Sequence, residues 1–165
     1  MRLVVTDTSV FIDLMEVGVL TPFFALAYEV HTTMFVVDEL NAEQQSLLLP
    51  FIGREALIVD QFDGDTLTLV EAMETRAGLS FTDRSVLHLA LLLKATLLSG
   101  DGGIRKECVS RQIQFHGSIW VIEQLWKRGL LGPVPAITCL EYLKEHNLRL
   151  PKAEIIALIE RIRKG

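Results

Sequence analysis

Arg2-Leu3-Val4-Val5-Thr6-Asp7-Thr8-Ser9 stands at the start of the chain, and its reading sets the architecture. An unbroken apolar run this short, rich in Val, is the pattern of a strand buried on both faces, as in a parallel sheet. Asp7, Thr8 and Ser9 are all suited to cap a following helix, predicted over Thr8–Met15. The same strand-then-helix punctuation repeats outward from this stretch. Further strands are predicted at Thr32–Val37, Ala56–Val59, Thr96–Ser99 and Gln112–Phe115. Between them, Pro22 suits the first turn of a helix running to about Val30, and Leu40–Phe51 is amphipathic. Thr66–Ala77 is predicted helical, with Gly78 as its left-handed cap. Ser80 and Asp83 form a capping-box pattern before a nearly all-apolar helix, Asp83–Lys94, which must be central. Helices at Ile104–Ser110, Ser118–Arg128, Pro135–Asn147 and Ala153–Lys164 complete the chain. This alternation predicts an α/β fold of three layers: a central parallel sheet of four to five strands with helices on both faces.

Composition narrows the class. The 165 residues suit one domain, or one with a small appendage, and half of them are hydrophobic with 22% charged, which excludes a disordered chain. The longest apolar stretches, Val17–Tyr28 and Val86–Ser99, are interrupted by Pro22, His88 and Lys94 and fall short of the ~18 uninterrupted residues of a membrane span. The N-terminus lacks the pattern of a signal peptide. Cys108 and Cys139 are isolated, without metal-ligand spacing, so the expectation is a reduced, cytoplasmic protein with no membrane partner. Charge is divided unevenly. Residues 1–99 carry five Lys/Arg against fourteen Asp/Glu, and residues 100–165 carry eleven against seven, so −9 and +4 make up the net −5. An acidic half suited to metal and a basic half suited to a polyanion is one reading; a solubilised terminal helix is the other.

The acids fall at chemically telling places. Ligands of open α/β sheets bind beyond the carboxyl ends of the strands. Asp7 follows the first predicted strand, Asp38 and Glu39 the second, and Asp101 the fourth, while Asp83 begins the central helix. Any one of them serves as a cap or turn residue. Together they accumulate charge that Ser, Thr or Asn caps would not. Two carboxylates ~5 Å apart repel by roughly 3 kcal/mol at an effective dielectric of 20. Such a cluster must spread, protonate in part, or hold a cation. All-oxygen ligands favour hard ions such as Mg²⁺ or Mn²⁺, whose chemistry here is hydrolysis of a phosphodiester.

The motifs carrying these acids resemble those of a known family. Val4-Val5-Thr6-Asp7-Thr8-Ser9-Val10-Phe11-Ile12, Val37-Asp38-Glu39-Leu40, the segment from Phe81 through Asp83 to Ala90, and Leu98-Ser99-Gly100-Asp101 look like the successive acidic motifs of PIN-domain ribonucleases, the group containing the VapC toxins. Arg111 to Leu131 is similar to the family's closing strand and helix. The resemblance implies a PIN-like nuclease domain over residues 1–132, with a C-terminal helical extension, 133–165, packed on it. It implies a metal-dependent endoribonuclease acting on RNA, in which Asp7, Glu39, Asp83 and Asp101 are catalytic and bind one or two Mg²⁺ or Mn²⁺ ions. Ser9 and Ser99 match supporting positions beside the first and last acids. Gly102 and Gly103 stand where many toxins carry a further acid. Toxin membership would bring an antitoxin partner, and relatives of this kind pair as homodimers. The alternative is a catalytically inactive PIN-like module that binds protein or RNA.

Other residues invite both structural and functional readings. Arg84 and Arg105, each just beyond a site acid, are the best-placed cations for a scissile phosphate. Gly100, Gly102 and Gly103 suit either a backbone approach to phosphate or a tight turn. His88 reads as a hydrogen-bonded core residue rather than a base, and Trp120 and Trp126 read as packing. A haloacid-dehalogenase-like site needs an acid where Ser9 stands, and a receiver domain needs a Lys where His116 stands.

Overall fold

Val4, Val5, Leu97 and Leu98 are completely buried because the two strands that carry them pair at the middle of one sheet. The computed structural model describes residues 1–165. The chain runs β1 (Arg2–Thr6), α1 (Thr8–Glu16), α2 (Leu20–Ala25), β2 (Tyr28–Thr33), α3 (Met34–Glu39), α4 (Ala42–Gly53), β3 (Leu57–Asp60) and α5 (Gly64–Ala72). It continues through α6 (Phe81–Leu93), β4 (Thr96–Leu98), α7 (Gly102–Arg111), β5 (Phe115–His116), α8 (Ser118–Lys127), α9 (Pro133–His146) and α10 (Lys152–Lys164). The five strands are all parallel, in the order β3-β2-β1-β4-β5. The chain winds outward from β1 to β3 and then crosses back to β4, so the strand order reverses between β1 and β4. Helices cover both faces, as expected from strands whose apolar residues do not alternate.

Two stretches depart from the sequence expectation. The segment expected to stay helical to Val30 instead gives way to strand at Tyr28, and Met34–Val37, the greater part of the strand expected over Thr32–Val37, belongs to the helix Met34–Glu39. Residues 28–33 are wanted by two neighbours at once: Tyr28–His31 pair with β1 and Val30–Thr33 with β3. Thr33 then accepts a hydrogen bond from the Val36 amide and turns the chain into α3, so tertiary pairing overrides the β preference of Val36 and Val37. Glu39 therefore ends a helix instead of following a strand directly.

The helix expected over Thr66–Ala77 stops at Ala72. The next residues are claimed by α7: the Arg76 amide donates to Glu107 Oε1 at 2.9 Å, and Arg111 Nη2 donates to the Glu74 carbonyl at 2.6 Å. Gly78 has a positive φ of 91°, but in the loop beyond, not as a helix cap.

The capping box at α6 forms as a reciprocal pair between Ser80 and Asp83. α9 and α10 pack on each other and on α8, adding Leu140, Leu143, Ile155 and Leu158 to the one continuous core. Asp13 of α1 ties this end of the chain down: its buried carboxylate accepts from Ser118 Oγ at 2.6 Å and Asn147 Nδ2 at 2.9 Å. No helix is long and apolar enough to cross a membrane.

Candidate active site

β1 and β4 end side by side, with Thr6 opposite Leu98, so the residues that follow them meet at the reversal of strand order. The Asp7 amide donates to the Leu98 carbonyl at 2.9 Å, which places the Asp7 side chain between the two junctions. Its Oδ2 accepts from Ser99 Oγ at 2.8 Å and from Ser9 Oγ at 3.1 Å. Both hydroxyls are themselves acceptors, Ser99 from the Asp101 amide at 3.1 Å and Ser9 from the Gly100 amide at 3.0 Å. Two serines thus stitch the β1–α1 turn to the β4–α7 turn around a single carboxylate. Asp101 Oδ1 caps α7 through the Ile104 amide at 2.9 Å. Gly103 leaves room for this arrangement: a Cβ there would lie 3.2 Å from Asp101 Oδ1 and 2.8 Å from the Leu79 side chain.

Glu39 and Asp83 complete the rim. Thr8 Oγ1, the residue next to Asp7, donates to Glu39 Oε2 at 2.8 Å. Asp83 is held at the start of α6 with its Oδ2 on the Ser80 amide at 2.8 Å. The electrostatics are those of unneutralised acids. Burial pushes the Asp7 carboxyl up to about 6, against the pull of its Ser99, Thr8 and Ser9 hydrogen bonds, and the Asp83 charge adds to the rise. The Asp83 carboxyl is likewise raised, first by burial, and further by the charges of Asp101 and Glu39. None of the protein's ion pairs involves any of the four.

The donor set suits a hard divalent cation: four carboxylates, no sulfur or imidazole, and no Lys or Arg occupying the same oxygens. Asp7 in particular is a buried carboxyl whose cost a cation would remove. The oxygens are not drawn into a closed cage. No three acids, histidines or cysteines anywhere in the protein are gathered as a metal-holding group, because each rim carboxylate is turned toward a local hydroxyl or amide.

The two arginines singled out in the sequence go different ways. Arg84 Nη1 donates to the Glu71 carbonyl at 3.0 Å, which commits it to the end of α5 and not to the acids. Arg105 lies one turn beyond Asp101 on α7, over the Phe115 ring, with no carboxylate partner. His88 is half-buried and sits edge-on to Phe62, so it is not the hydrogen-bonded core residue expected. Thr8 is the rim residue assigned only to capping from the sequence; its place directly after Asp7, inside the first acidic motif, was the available signal. His31 was also passed over. It is buried between Asp60 at 2.6 Å and Glu29 at 3.0 Å, one carboxylate on each ring nitrogen.

Comparisons with known proteins agree with this architecture. A protein-family model described as DUF3368, PIN domain, matches residues 3–164. Among solved structures, a PilT N-terminus domain protein from the hyperthermophilic archaeon Sulfolobus solfataricus P2 superposes with a TM-score of 0.51 at 14% identity, over 76% of this chain and 94% of that one. A domain of a functionally unknown protein from Methanocaldococcus jannaschii DSM 2661 gives a TM-score of 0.46 at 18% identity, over 71% of this chain and 91% of that one. At 14% identity the likeness to the Sulfolobus protein speaks to fold alone, and the second likeness carries no argument. No curated protein matches the chain.

Proposed function

The chain belongs to the PIN-domain family, and from that premise we propose that it is a metal-dependent endoribonuclease that hydrolyses RNA phosphodiester bonds. The nuclease-type fold is the family's; the specific activity rests on one observation. Asp7, Glu39, Asp83 and Asp101, from four distant segments, share the rim at the strand reversal, and no cationic side chain pairs with any of them. In this reading the four carboxylates hold Mg²⁺ or Mn²⁺, which when bound neutralises phosphate charge and lowers the pKa of a water. Ser9 and Ser99 keep Asp7 oriented by donating to its Oδ2. Thr8 does the same for Glu39. One of the carboxylates takes the proton of the attacking water. An antitoxin, if the chain is the toxin of a pair, and a second copy in a homodimer are the protein partners that go with this reading.

A second reading, an inactive binding module, is favoured by the way every rim carboxylate is tied to a local donor with no closed metal cage. Cleavage separates the two. Nuclease-free wild-type protein should cut single-stranded RNA with Mg²⁺ or Mn²⁺, and folded Asp7→Asn should lose at least a hundredfold in rate. Intact RNA under both metals, together with no heat of Mn²⁺ binding at millimolar concentration, would leave only the module.

A further inference from the structure

We infer that the cleft between α8 and α10 is a nucleotide subsite for single-stranded RNA, with a phosphate on Arg105 and a base against the His116–Trp120 stack. This rests on the reading of RNA as substrate and adds where the strand leaves the acid rim. The cleft has a volume of about 320 Å³, at the small end of ligand pockets and enough for one nucleotide.

Five of the ten arginines, Arg76, Arg84, Arg111, Arg161 and Arg163, face carboxylates. Arg105 belongs to the other five, with Arg2, Arg54, Arg128 and Arg149, and it alone of these has its Nε enclosed without any hydrogen-bond partner. An arginine held in that state presents its remaining fork to a ligand, and phosphate is the ligand that fork fits. Gly117, where α8 begins, makes the space: a Cβ there would lie 3.1 Å from Arg105 Nη2. As a glycine it also leaves the first turn of α8 without a side-chain cap.

The aromatic wall is beside it. The His116 and Trp120 rings are stacked at 4.1 Å and nearly parallel, and Arg2 lies over Trp120 at 5.1 Å. Stacked aromatics backed by arginine are the usual platform for unpaired bases. The two acids of the cleft do not outweigh this. Glu123 is already paired with Lys127 at 2.9 Å and Arg161 at 2.8 Å, and Glu154 is exposed to solvent.

The cleft adjoins the acid rim through the paired ends of β4 and β5. Ser99, which donates to Asp7, receives its strand partner from His116: the Ser99 amide donates to the His116 carbonyl at 2.9 Å. Arg105 is one helical turn, about 5.4 Å, along α7 from Asp101. A strand cleaved at the rim therefore has its neighbouring phosphate within reach of Arg105. The second wall, α10, is supplied by the C-terminal helices, which gives them a part in binding.

The test is equilibrium binding of a fluorescein-labelled single-stranded RNA hexamer in EDTA, where cleavage does not interfere. Arg105→Gln and Gly117→Ala should each weaken binding about tenfold with an unchanged thermal midpoint, and Arg163→Gln should leave it unchanged. A 4-thiouridine probe should crosslink to the peptide containing His116 and Trp120, a readout independent of any variant's folding. Binding by folded Arg105→Gln as tight as wild type, no detectable binding by wild type, or crosslinks confined to other peptides each overturns the subsite. Wild-type protein that binds through this cleft yet cuts no RNA would sustain it while removing the nuclease reading.

Discussion

Asp7 and Asp101 are joined through a single hydroxyl: Ser99 Oγ donates to Asp7 Oδ2 at 2.8 Å and accepts from the Asp101 amide at 3.1 Å. The acid that ends β1 and the acid that follows β4 are held in fixed relation by one buried side chain, and any movement of one is felt by the other.

Ser99→Ala breaks both links. It leaves the Asp101 amide without its acceptor and Asp7 without its strongest hydrogen bond, at a cost of about 1–2 kcal/mol in stability. The Asp7 carboxyl should titrate higher than in the wild type, since the Ser99 bond holds it down. Carboxyl-carbon NMR titration and urea denaturation check the two effects, and Ser99→Thr should restore both in large part.

Asp7 itself is costly to the metal-free fold. Its value is raised from 3.8 to about 6, so the folded state holds a proton that the unfolded state releases, and stability falls as pH rises between those values. The full cost, about 3 kcal/mol, applies above pH 6. Asp7→Asn in EDTA should therefore be more stable than wild type at pH 8 and lose that advantage near pH 4. Thermal denaturation across this range measures it, and equal midpoints at pH 8 would contradict the burial cost.

His31 titrates in a different window. Burial opposes its charge, but the hydrogen bonds and charges of Glu29 and Asp60 together raise its value above 6.5. With both ring nitrogens on carboxylates, the imidazolium clamps β2 to β3. The stabilisation is complete below pH 6.5 and is lost as pH rises through the folded value. His31→Phe should remove this decline above pH 6.5 and leave the slope between pH 4 and 6 unchanged, as read by denaturant midpoints.

The Asp13 network predicts a loosening of the C-terminal helices. Asp13→Ala strands the Ser118 hydroxyl and the Asn147 amide and should cost about 2 kcal/mol. Asn147→Ala removes one of the two bonds and should cost about half as much. Hydrogen exchange should accelerate first in α9 and the start of α8.

Much of this protein is written locally. Leu3–Val5 and Leu97–Leu98 are unbroken apolar runs, so each could be read as a central strand without knowing its neighbours. The Ser80–Asp83 capping box and the acids after β1 and β4 were equally legible, because caps and strand ends depend on residues a few positions apart. Such signals fixed the fold class and the candidate acids. What they did not contain was any competition between distant segments. Residues 28–33 became strand because β1 and β3 both pair with them, and Thr66–Ala77 lost its last turn because Glu107 and Arg111 took the backbone groups a helix would have used. The direction of each arginine was likewise decided from outside. Arg84 stands one residue and Arg105 one helical turn beyond a candidate acid, yet a carboxylate on α5 holds one while the glycine at the start of α8 leaves space for the other. Hydrogen bonds and charges act between whatever atoms folding brings within a few ångströms, and sequence distance has no bearing on that.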